Sequence, residues 1–406
     1  MNYQETVNYL FALYPNLANN GWGAYKPGLE RVYALSNLID NPQKKYPIIH
    51  IAGTNGKGSV THILASVLQQ SGYKVGVFCS PHLMDFRERI KINGEYIPEK
   101  FVVDFVKQYD EKFKEVGPSF FEYTTMMAFD YFYQQEVDIA IIETGLGGRL
   151  DCTNIVEPIL SIITNIGLDH QKFLGDTLPQ IALEKAGIIK SNIPVVIGKT
   201  QAETERIFKA AAIKNKSDIY FAANMNFPEL KSDLQGLYQK ENIHTVQCAL
   251  EVLQSTWTKI TPHSIADGLK NVVKNANFLG RWQVVQQQPK VIVDTAHNVD
   301  GITILIQQLQ QLNQPITLVT GFASDKNIDE ILELFPSNFS YIFTSTSNSR
   351  MLSAEDLAQK ASKYQLNHQI VPNISLISQY FLKDYKGIYI IAGSNYIVGD
   401  FLKAFR

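Results

Sequence analysis

The sequence is poor in cysteine, in net charge and in long apolar runs, and each shortage excludes a class of protein. Its three cysteines, Cys79, Cys152 and Cys248, lack the paired spacing of a disulfide framework or a zinc site. A net charge of −2 gives no reason to expect nucleic acid or an anionic membrane as a partner. No segment reaches membrane-spanning length, and the first residues lack the basic stretch and apolar run of a leader. We therefore expect a cytoplasmic protein.

The chain has 406 residues, more than one hydrophobic core usually supports, so two domains are expected. Strand and helix patterns alternate along nearly all of it, which predicts a parallel sheet covered by helices. The strands predicted in the first part are 47–52, 74–79, 137–144, 159–166 and 194–199. A mainly polar stretch over 200–239 is expected to be irregular.

The segment Arg281–Pro289 contains a glutamine run that ends in proline, and we predict that it is a hinge between the domains. A second series follows it, with strands near 291–293, 316–320, 341–345 and 388–392 and helices near 301–312, 327–335, 353–364 and 375–384. The fold class is therefore α/β. A large P-loop nucleotide-binding domain with a mostly parallel sheet, residues 1–287, precedes a smaller α/β domain, residues 288–406.

The clearest chemical signal is a glycine-rich run between a predicted strand and a predicted helix, Gly53-Thr54-Asn55-Gly56-Lys57-Gly58-Ser59. Its glycines let backbone N–H groups face an anion at the positive end of the helix. Lys57 is expected to reach the outer phosphates, and the Ser59 hydroxyl to lie close to a bound metal ion. The spacing is shorter than in the common P-loop, and Gly58 separates Lys57 from Ser59. The alternative is a tight turn with an incidental lysine, but strand, glycines, lysine and helix coincide, so we predict a nucleoside triphosphate site.

Three polar residues lie at or just beyond the carboxyl ends of predicted strands, where ligands collect in open parallel sheets. Glu143 begins a glycine-rich turn, and a carboxylate facing a phosphate loop is well placed to hold Mg²⁺. His170 and Ser80 follow two other strands. Each has a structural alternative, because a lone Glu is often a solvated strand end, a lone His is usually structural and a lone Ser is often a turn residue. Beside a phosphate site they become candidate Mg²⁺ ligands, an ion that favours oxygen donors.

Lys185 lies in a predicted helix whose apolar residues leave it only a narrow polar face. Those residues are Ile181, Ala182, Leu183, Ala186 and Ile188. The simpler interpretation of the periodicity is a surface lysine paired with Glu184 or another neighbour. A partly buried lysine would instead have a lowered pKa, and its neutral form reacts with carbonyls or CO₂.

Ten motifs occur in one order over nearly the full length, and the series resembles the folylpolyglutamate synthase/dihydrofolate synthase family of the Mur ligase superfamily. They are Gly53–Ser59, Ser80-Pro81-His82-Leu83, Phe121-Glu122-Tyr123, Glu143–Asn154, Leu168-Asp169-His170, Glu184–Ile188, Gly236–Gln239 followed by Asn242, Gly280-Arg281, Asp294–Asn298 and Gly393–Tyr396. The phosphate loop lies too close to residue 1 for the whole UDP-binding domain that cell-wall Mur ligases generally carry there. The chain therefore resembles the folate branch.

That resemblance implies an ATP-dependent amide ligase that acts through an acyl phosphate. It would add L-glutamate to dihydropteroate, making dihydrofolate, and to tetrahydrofolates, extending a polyglutamate chain. ATP and Mg²⁺ are the implied cofactors, and we expect small-molecule substrates, no nucleic acid, no membrane and a monomer. The alternatives are a monofunctional folylpolyglutamate synthase, a ligase of the superfamily with other substrates and a nucleotide-dependent switch protein.

The resemblance also implies a role for each matching residue. Lys57 and the loop amides would hold the ATP phosphates, while Ser80, Glu143 and His170 would bind Mg²⁺. Lys185 would be carbamylated, which turns a cation into an anion beside the metal. The remaining residues would contact the nucleotide (Asn242, Arg281 and Asp294), the pterin (Phe121 by stacking and Asp151 by hydrogen bonding) and the incoming glutamate (His297 and Ser394). For Phe121, a core aromatic residue is an equal alternative.

Overall fold

The computed structural model describes residues 1–15, 28–381 and 385–405, and the chain divides into two compact units. The first unit contains Met1–Pro81, Arg87–Asp233 and Tyr238–Phe278. The second contains Leu279–Arg406 and two short segments from earlier in the chain, His82–Phe86 and Leu234–Leu237. The C-terminal unit thus starts at Leu279, ahead of the boundary at 288 that the sequence suggests.

A mostly parallel sheet of eight strands forms the centre of the first unit in the described residues, in the order β4-β3-β2-β5-β1-β6-β7-β8. The pairings from β2 to β8 are parallel, whereas β3 pairs antiparallel with β2 and with β4. The five predicted strands are confirmed. The strands are β1 (Ile48–Ala52), β2 (Val75–Phe78), β3 (Ile90–Ile92), β4 (Glu95–Tyr96), β5 (Ile139–Glu143), β6 (Leu160–Ile163), β7 (Val195–Ile197) and β8 (Ile219–Phe221).

Helices surround this sheet, and several begin with reciprocal capping hydrogen bonds. In α5, for example, the Ser119 side chain accepts from the Glu122 backbone while the Glu122 side chain accepts from the Ser119 backbone. None of the described helices is long and apolar enough to cross a membrane. The helices are α1 (Tyr3–Leu13), α2 (Glu30–Asn37), α3 (Lys57–Gln70), α4 (Glu99–Val116), α5 (Phe120–Gln134), α6 (Gln171–Leu174), α7 (Leu178–Ala186), α8 (Ala202–Asn215), α9 (Gln239–Gln254), α10 (Pro262–Lys270) and α11 (Val272–Ala276).

The expectation of an irregular stretch over 200–239 is wrong, because this stretch contains α8 and β8. The helix buries Thr204, Phe208 and Ala212, which recur every fourth residue along one narrow stripe. A helix with so narrow a buried stripe carries little hydrophobic periodicity, so composition alone makes it resemble a loop.

The second unit has a sheet of six described strands in the order β13-β12-β11-β14-β10-β9. Alternate residues bury on its two faces: Ile292, Leu318 and Ile390 join one core, and Val291, Val319 and Ile391 join the other. The strands are β9 (Gln283–Gln287), β10 (Lys290–Val293), β11 (Ile316–Thr320), β12 (Ser340–Thr344), β13 (Asn367–Val371) and β14 (Ile388–Ala392). The helices are α12 (Val299–Gln310), α13 (Ile328–Glu333), α14 (Ala354–Ala361) and α15 (Asn395–Phe405).

Two expectations for the second unit need correction. The predicted hinge Arg281–Pro289 contains β9, which pairs antiparallel with β10 at the edge of the sheet. An edge strand is partly solvated, so a polar glutamine run is compatible with it. The helix expected over 375–384 is a 3₁₀ helix, Ile374–Tyr380, and residues 382–384 lie outside the described residues.

Candidate active site

The strand order of the first sheet brings four predicted site elements to one edge. Strands β2, β5, β1 and β6 are parallel neighbours, so their carboxyl ends lie side by side. Ser80 follows β2, Glu143 ends β5, the phosphate loop follows β1, and His170 lies beyond β6. In the register, Ile51 of β1 is opposite Glu143. The sheet therefore places a carboxylate directly beside the start of the phosphate loop.

The loop itself uses glycine where a side chain would not fit. Gly53 has a φ of +154°, and a Cβ there would lie 1.8 Å from Thr164 Oγ1. Gly56 has a φ of +85°, and its Cβ would lie 2.4 Å from Asn242 Oδ1. Both positions need a backbone conformation that L-residues rarely adopt, and both are closely covered. Asn242, expected at the nucleotide, thus packs against the loop.

The end of β6 fixes the loop backbone. Thr54 N donates to Asn165 O (3.0 Å), and Asn55 N donates to Asn165 Oδ1 (2.8 Å). Thr164 Oγ1 in turn donates to Asn55 O (2.6 Å). Helix α3 then begins at Lys57, and the first N–H groups of a helix have no partner within it. The loop therefore has the fixed backbone and the positive helix end that an anion site requires.

Two lysines converge on one carbonyl of this loop. Lys57 Nζ and Lys185 Nζ each donate to Gly53 O at 2.9 Å. The interpretation of Lys185 as a surface lysine paired with Glu184 is wrong, because Lys185 is only 3% exposed. Glu184 pairs instead with Arg149, at 2.8 Å between Oε1 and Nη2. Burial, and then the positive charge of Lys57, lower the pKa of Lys185 to about 7.

The glycine turn after β5 positions Lys185. Arg149 N donates to Glu184 O (2.7 Å) at the end of α7. A Cβ at Gly148 would lie 2.8 Å from that same carbonyl and 3.0 Å from Lys185 Cα. The turn therefore packs directly on the backbone that carries the lysine. The strand that ends in Glu143 and the helix that carries Lys185 are thus held together.

Phe121 and Asp151 meet at the same turn. The Phe121 ring covers Gly145, where a Cβ would lie 2.4 Å from Cε1, and stacks on Phe78 with ring centroids 5.6 Å apart. Asp151 Oδ2 accepts from Leu146 N at 2.7 Å. Phe121 is only partly buried, whereas Asp151 is 4% exposed and burial raises the pKa of its carboxyl. In this structure Asp151 shapes the turn on which the Phe121 ring rests.

The sequence did not predict a series of hydrogen bonds that joins this turn to β1. His50 Nε2 lies 2.8 Å from Thr153 Oγ1, and the Thr153 hydroxyl donates to Asp151 Oδ1 (2.5 Å). Burial lowers the pKa of His50 to about 3, so the imidazole is neutral and its Nε2–H donates to Thr153. These hydrogen bonds connect β1, which leads into the phosphate loop, to the turn after β5. A histidine within the apolar run Ile48–Ala52 is the signal that could have revealed it.

Gln239 is a second residue that the sequence interpretation left without a role. Its Nε2 donates to Ser59 Oγ (3.2 Å), and its Oε1 accepts from Asn242 Nδ2 (2.9 Å). Both Gln239 and Asn242 are buried on α9. Helix α9 therefore contacts the loop at Ser59 and at Gly56, and the amide of Gln239 joins the two contacts.

The donors expected for Mg²⁺ fit that ion in part. Glu143 supplies a buried carboxylate and Ser80 a hydroxyl, both oxygen donors. His170 has a φ of +55° at the start of α6, and its backbone N–H donates to Asp169 Oδ1 (2.9 Å). Among the described residues, no group of three or more His, Cys, Asp or Glu side chains could hold a metal. A magnesium site here would therefore need water and phosphate oxygens as well.

The second unit gathers the remaining predicted residues at the ends of β10 and β14, which are parallel neighbours. Asp294 accepts from Trp282 N and from Ala296 N, both at 2.9 Å. His297 Nδ1 lies 2.8 Å from Thr295 O, and Ser394 Oγ accepts from Tyr396 N (3.1 Å).

A backbone bond from Gly393 N to Ala296 O (2.9 Å) joins the two strand ends. Arg281 Nη1 donates to Gly280 O (3.2 Å). Gly280 lies against Thr295, because a Cβ at Gly280 would be 3.0 Å from Thr295 Cγ2. Asp294, His297, Ser394 and Arg281 thus belong to one edge of the second sheet.

A glycine-rich loop at the end of a parallel sheet, followed by a second α/β unit with polar strand ends, is the arrangement expected of an ATP-dependent ligase. The pattern of the Mur ligase middle domain matches residues 51–267, and that of the Mur ligase, glutamate ligase domain matches residues 280–394. The chain belongs to the Mur ligase family, in the branch of the dihydrofolate synthase/folylpolyglutamate synthases. The resemblance found in the sequence is confirmed.

Three similar proteins illustrate this branch. The dihydrofolate synthase/folylpolyglutamate synthase of Bacillus subtilis is 33% identical over 94% of this chain and 95% of its own. The structure of Escherichia coli FolC with DHPP and ADP is 27% identical, with a TM-score of 0.87 over 100% and 98% of the two chains. A bifunctional folylpolyglutamate synthase/dihydrofolate synthase with Mn, AMPPNP and L-glutamate bound is 26% identical, with a TM-score of 0.84 and the same coverage.

Proposed function

We propose that this ligase is bifunctional and joins L-glutamate both to dihydropteroate and to tetrahydrofolates. The observation that carries the proposal is the convergence of the phosphate loop, Glu143, Lys185 and the Phe121–Gly145 contact on one edge of the first sheet. A nucleotide and an aromatic acid bound at that edge would meet there. The similarity to proteins with bound ADP, DHPP and L-glutamate supports the same assignment.

The reaction that this arrangement serves has two steps. A carboxylate oxygen of the folate or pteroate attacks the γ-phosphorus of ATP, forming an acyl phosphate and releasing ADP. The amine of glutamate then attacks the activated carbonyl, forming the amide and releasing phosphate and a proton. Lys57 and the loop amides would orient and neutralise the phosphates, which is the main protein contribution to phosphoryl transfer. A bound Mg²⁺, held by Ser80, Glu143 and His170, would supply further charge compensation.

Lys185 would act as a carbamate. A neutral amine is needed, and a pKa of about 7 makes the neutral form abundant near neutral pH. The neutral Nζ nitrogen attacks CO₂, an N–C bond forms and a proton is released, so that a buried neutral amine becomes an anion. The anion would attract the cation of Lys57, whose Nζ donates to the same carbonyl, Gly53 O. The carboxylate produced would add a negative charge near the proposed magnesium site.

The substrates divide between the two units. Phe121 would stack on the pterin. Asp151 would hydrogen bond to the amino-pyrimidine edge, from the turn that it already shapes. Asn242, Arg281 and Asp294 would contact the nucleotide. His297 and Ser394 would lie near the incoming glutamate, in the region that matches the glutamate ligase domain.

The test is Mg-ATP-dependent release of ADP in the presence of L-glutamate, with dihydropteroate and tetrahydrofolate assayed in parallel. Release with both acids is the expected result. Release with tetrahydrofolate alone would leave a monofunctional folylpolyglutamate synthase, and release with dihydropteroate alone a dihydrofolate synthase. Hydrolysis of ATP that ignores both acids would favour a nucleotide-dependent switch and would refute the proposal.

A further inference from the structure

A buried lysine lies beside the phosphate-loop helix. Lys91, on β3, is 3% exposed and donates to three acceptors: His62 Nε2 (2.7 Å), Ala276 O (2.8 Å) and Asn277 O (3.2 Å). The two carbonyls belong to the end of α11, where a cation is favoured by the helix dipole. A protonated ammonium has three N–H donors, so these three contacts use all of them.

His62 continues this arrangement toward the phosphate loop. It is buried on α3, its ring stacks on Phe278 with centroids 4.2 Å apart, and its Nδ1 lies 2.6 Å from Gly58 O. A carbonyl oxygen has no proton, so Nδ1 must carry the hydrogen and donate it. Nε2 of a neutral ring then has a lone pair, which accepts from Lys91. The contacts therefore select the Nδ1–H tautomer.

The Gly58 carbonyl belongs to the peptide group that also contains the Ser59 N–H. Because this group is planar and trans, fixing the carbonyl fixes the direction of the Ser59 N–H. That N–H is in the first turn of α3 and lacks an acceptor within the helix. The Ser59 side chain is held separately, by Gln239. The bond from His62 thus orients an amide in the first turn of the helix that follows the proposed phosphate loop.

We propose that Lys91 and His62 are positioning residues for ATP, acting in series through the Gly58–Ser59 peptide group without touching the nucleotide. This inference rests on the proposed phosphate-loop function, but it concerns ATP affinity and does not depend on which acid is ligated. Lys91 donates to Nε2 of His62 and so holds the ring in place, and His62 sets the orientation of the peptide group. Removing either should weaken ATP binding more than it slows the chemical step.

The test compares two variants with one matched control in the full-length protein. His62→Phe keeps a ring against Phe278 but loses both nitrogens, and Lys91→Met keeps the length of the side chain but loses its donors. Lys74 also donates to a carbonyl at a helix end, that of Gln135 after α5, so Lys74→Met removes a comparable bond away from the loop.

Calorimetric titration with a non-hydrolysable ATP analogue should show affinity about tenfold lower in both variants and unchanged in Lys74→Met. In the ligation assay KM for ATP should rise by a similar factor, with a smaller change in kcat. The double variant should be no worse than the poorer single variant, because the two residues act in series.

The ¹⁵N shifts of the His62 ring distinguish this positioning role from a purely structural one. NMR of ¹⁵N-histidine-labelled protein should show His62, assigned by the loss of its signal in His62→Phe, as the Nδ1–H tautomer. In Lys91→Met the bond to Gly58 O still favours Nδ1–H, but the Nε2 resonance should shift because its lone pair loses the hydrogen bond from Lys91. An Nε2–H or doubly protonated His62 in the parent protein, or unchanged ATP affinity in both variants, would overturn the inference. A parent protein that binds no nucleotide would overturn the proposed function as well.

Discussion

At the scale of the residue, Lys185 shows how burial changes the protonation of a side chain. Its helix exposes Leu183, whereas the Lys185 side chain is buried and donates to Gly53 O. Burial disfavours the charged amine, and Lys57 beside it disfavours that charge further. Asp169 and Asp151 oppose the shift but are outweighed. The result is a lysine that loses its proton near neutral pH.

The first prediction follows from the sign of that shift. The amine is protonated below about pH 7 and neutral above it, and a carbamate forms only from the neutral amine. Carbamate occupancy should therefore rise as the pH increases through this value and should fall on acidification. A ¹³C NMR titration in labelled bicarbonate measures it.

Lys190 offers a matched control for that titration. Burial lowers its pKa too, and its Nζ donates to Asn154 O (2.8 Å), away from the phosphate loop. The carbamate signal should persist in Lys190→Met and disappear in Lys185→Met. A signal that survives in Lys185→Met would place the modification on another residue and refute the role of Lys185.

The second prediction concerns Lys57. Replacing it with alanine removes the cation that would neutralise the transferred phosphate, so ligation should fall by about a hundredfold or more. The side chain is partly exposed and bonds only to loop carbonyls in the described contacts, so the melting temperature should change little. ADP release and thermal unfolding are measured on the same sample. Near-normal ADP release in Lys57→Ala would contradict the phosphate-loop assignment.

The sequence predicts residues that act through local motifs better than residues that act through distant contacts. Lys57 and Glu143 could be found because a glycine-rich run and a strand end mark their positions. His62 and Lys91 form their bond across 29 positions, and His50 meets Thr153 across 103. A single buried histidine in an apolar segment indicates that a partner exists but does not identify it. Such pairs emerge only when the sheet order is known.

At the scale of the element, the turn Gly145–Asp151 makes three contacts that matter to the site. Its start supports the Phe121 ring at Gly145, its middle packs on Lys185 through Gly148, and its end returns Asp151 to bond Leu146 N. The turn extends β5, whose last residue is Glu143. Movement of one part of this element would therefore disturb the others.

The third prediction tests that element. A methyl group added at Gly145 would lie 2.4–2.5 Å from atoms of the rigid Phe121 ring, so Gly145→Ala should displace the ring. If the ring stacks on the pterin, KM for dihydropteroate should rise about tenfold while ATP affinity stays within twofold. Phe121→Ala should produce a similar rise, and combining the two should add little. A fully additive pair would mean that the ring and the glycine serve different functions.

The fold was predictable where hydrophobic periodicity is strong and unpredictable where it is weak. The buried strands β1, β5 and β14 are mainly apolar runs in the sequence, and the structure confirms these three strand predictions. The partly exposed strands β9 and β13 have more polar than apolar residues, and the helix α8 has as many polar as apolar ones. Their backbone hydrogen bonds stabilise them at sheet edges or on the surface, where composition is free to be polar.

At the scale of the whole molecule, the chain passes between the two units more often than a simple tandem arrangement requires. His82–Phe86 and Leu234–Leu237 both belong to the second unit, although the first unit supplies the chain on either side of them. Leu237 N and Gln235 O bond the side chain of Gln308 on α12. Leu83 and Met84 pack on the second core, and Leu83 covers Gly280. The C-terminal segment alone therefore lacks part of its own unit.

The fourth prediction uses Leu83 to test this interleaving. Leu83→Ala removes apolar contacts from the second core, so it should destabilise the second unit by roughly 1–3 kcal/mol. Trp282 is buried in that unit and reports its unfolding when Trp22 and Trp257 are replaced by phenylalanine. Urea titration of this background should show an earlier Trp282 transition in Leu83→Ala. Leu376→Ala is the control, because Leu376 is 42% exposed in the same unit and its loss should leave the transition unchanged. Equal midpoints for the two variants would mean that His82–Phe86 lies on the second unit without stabilising it.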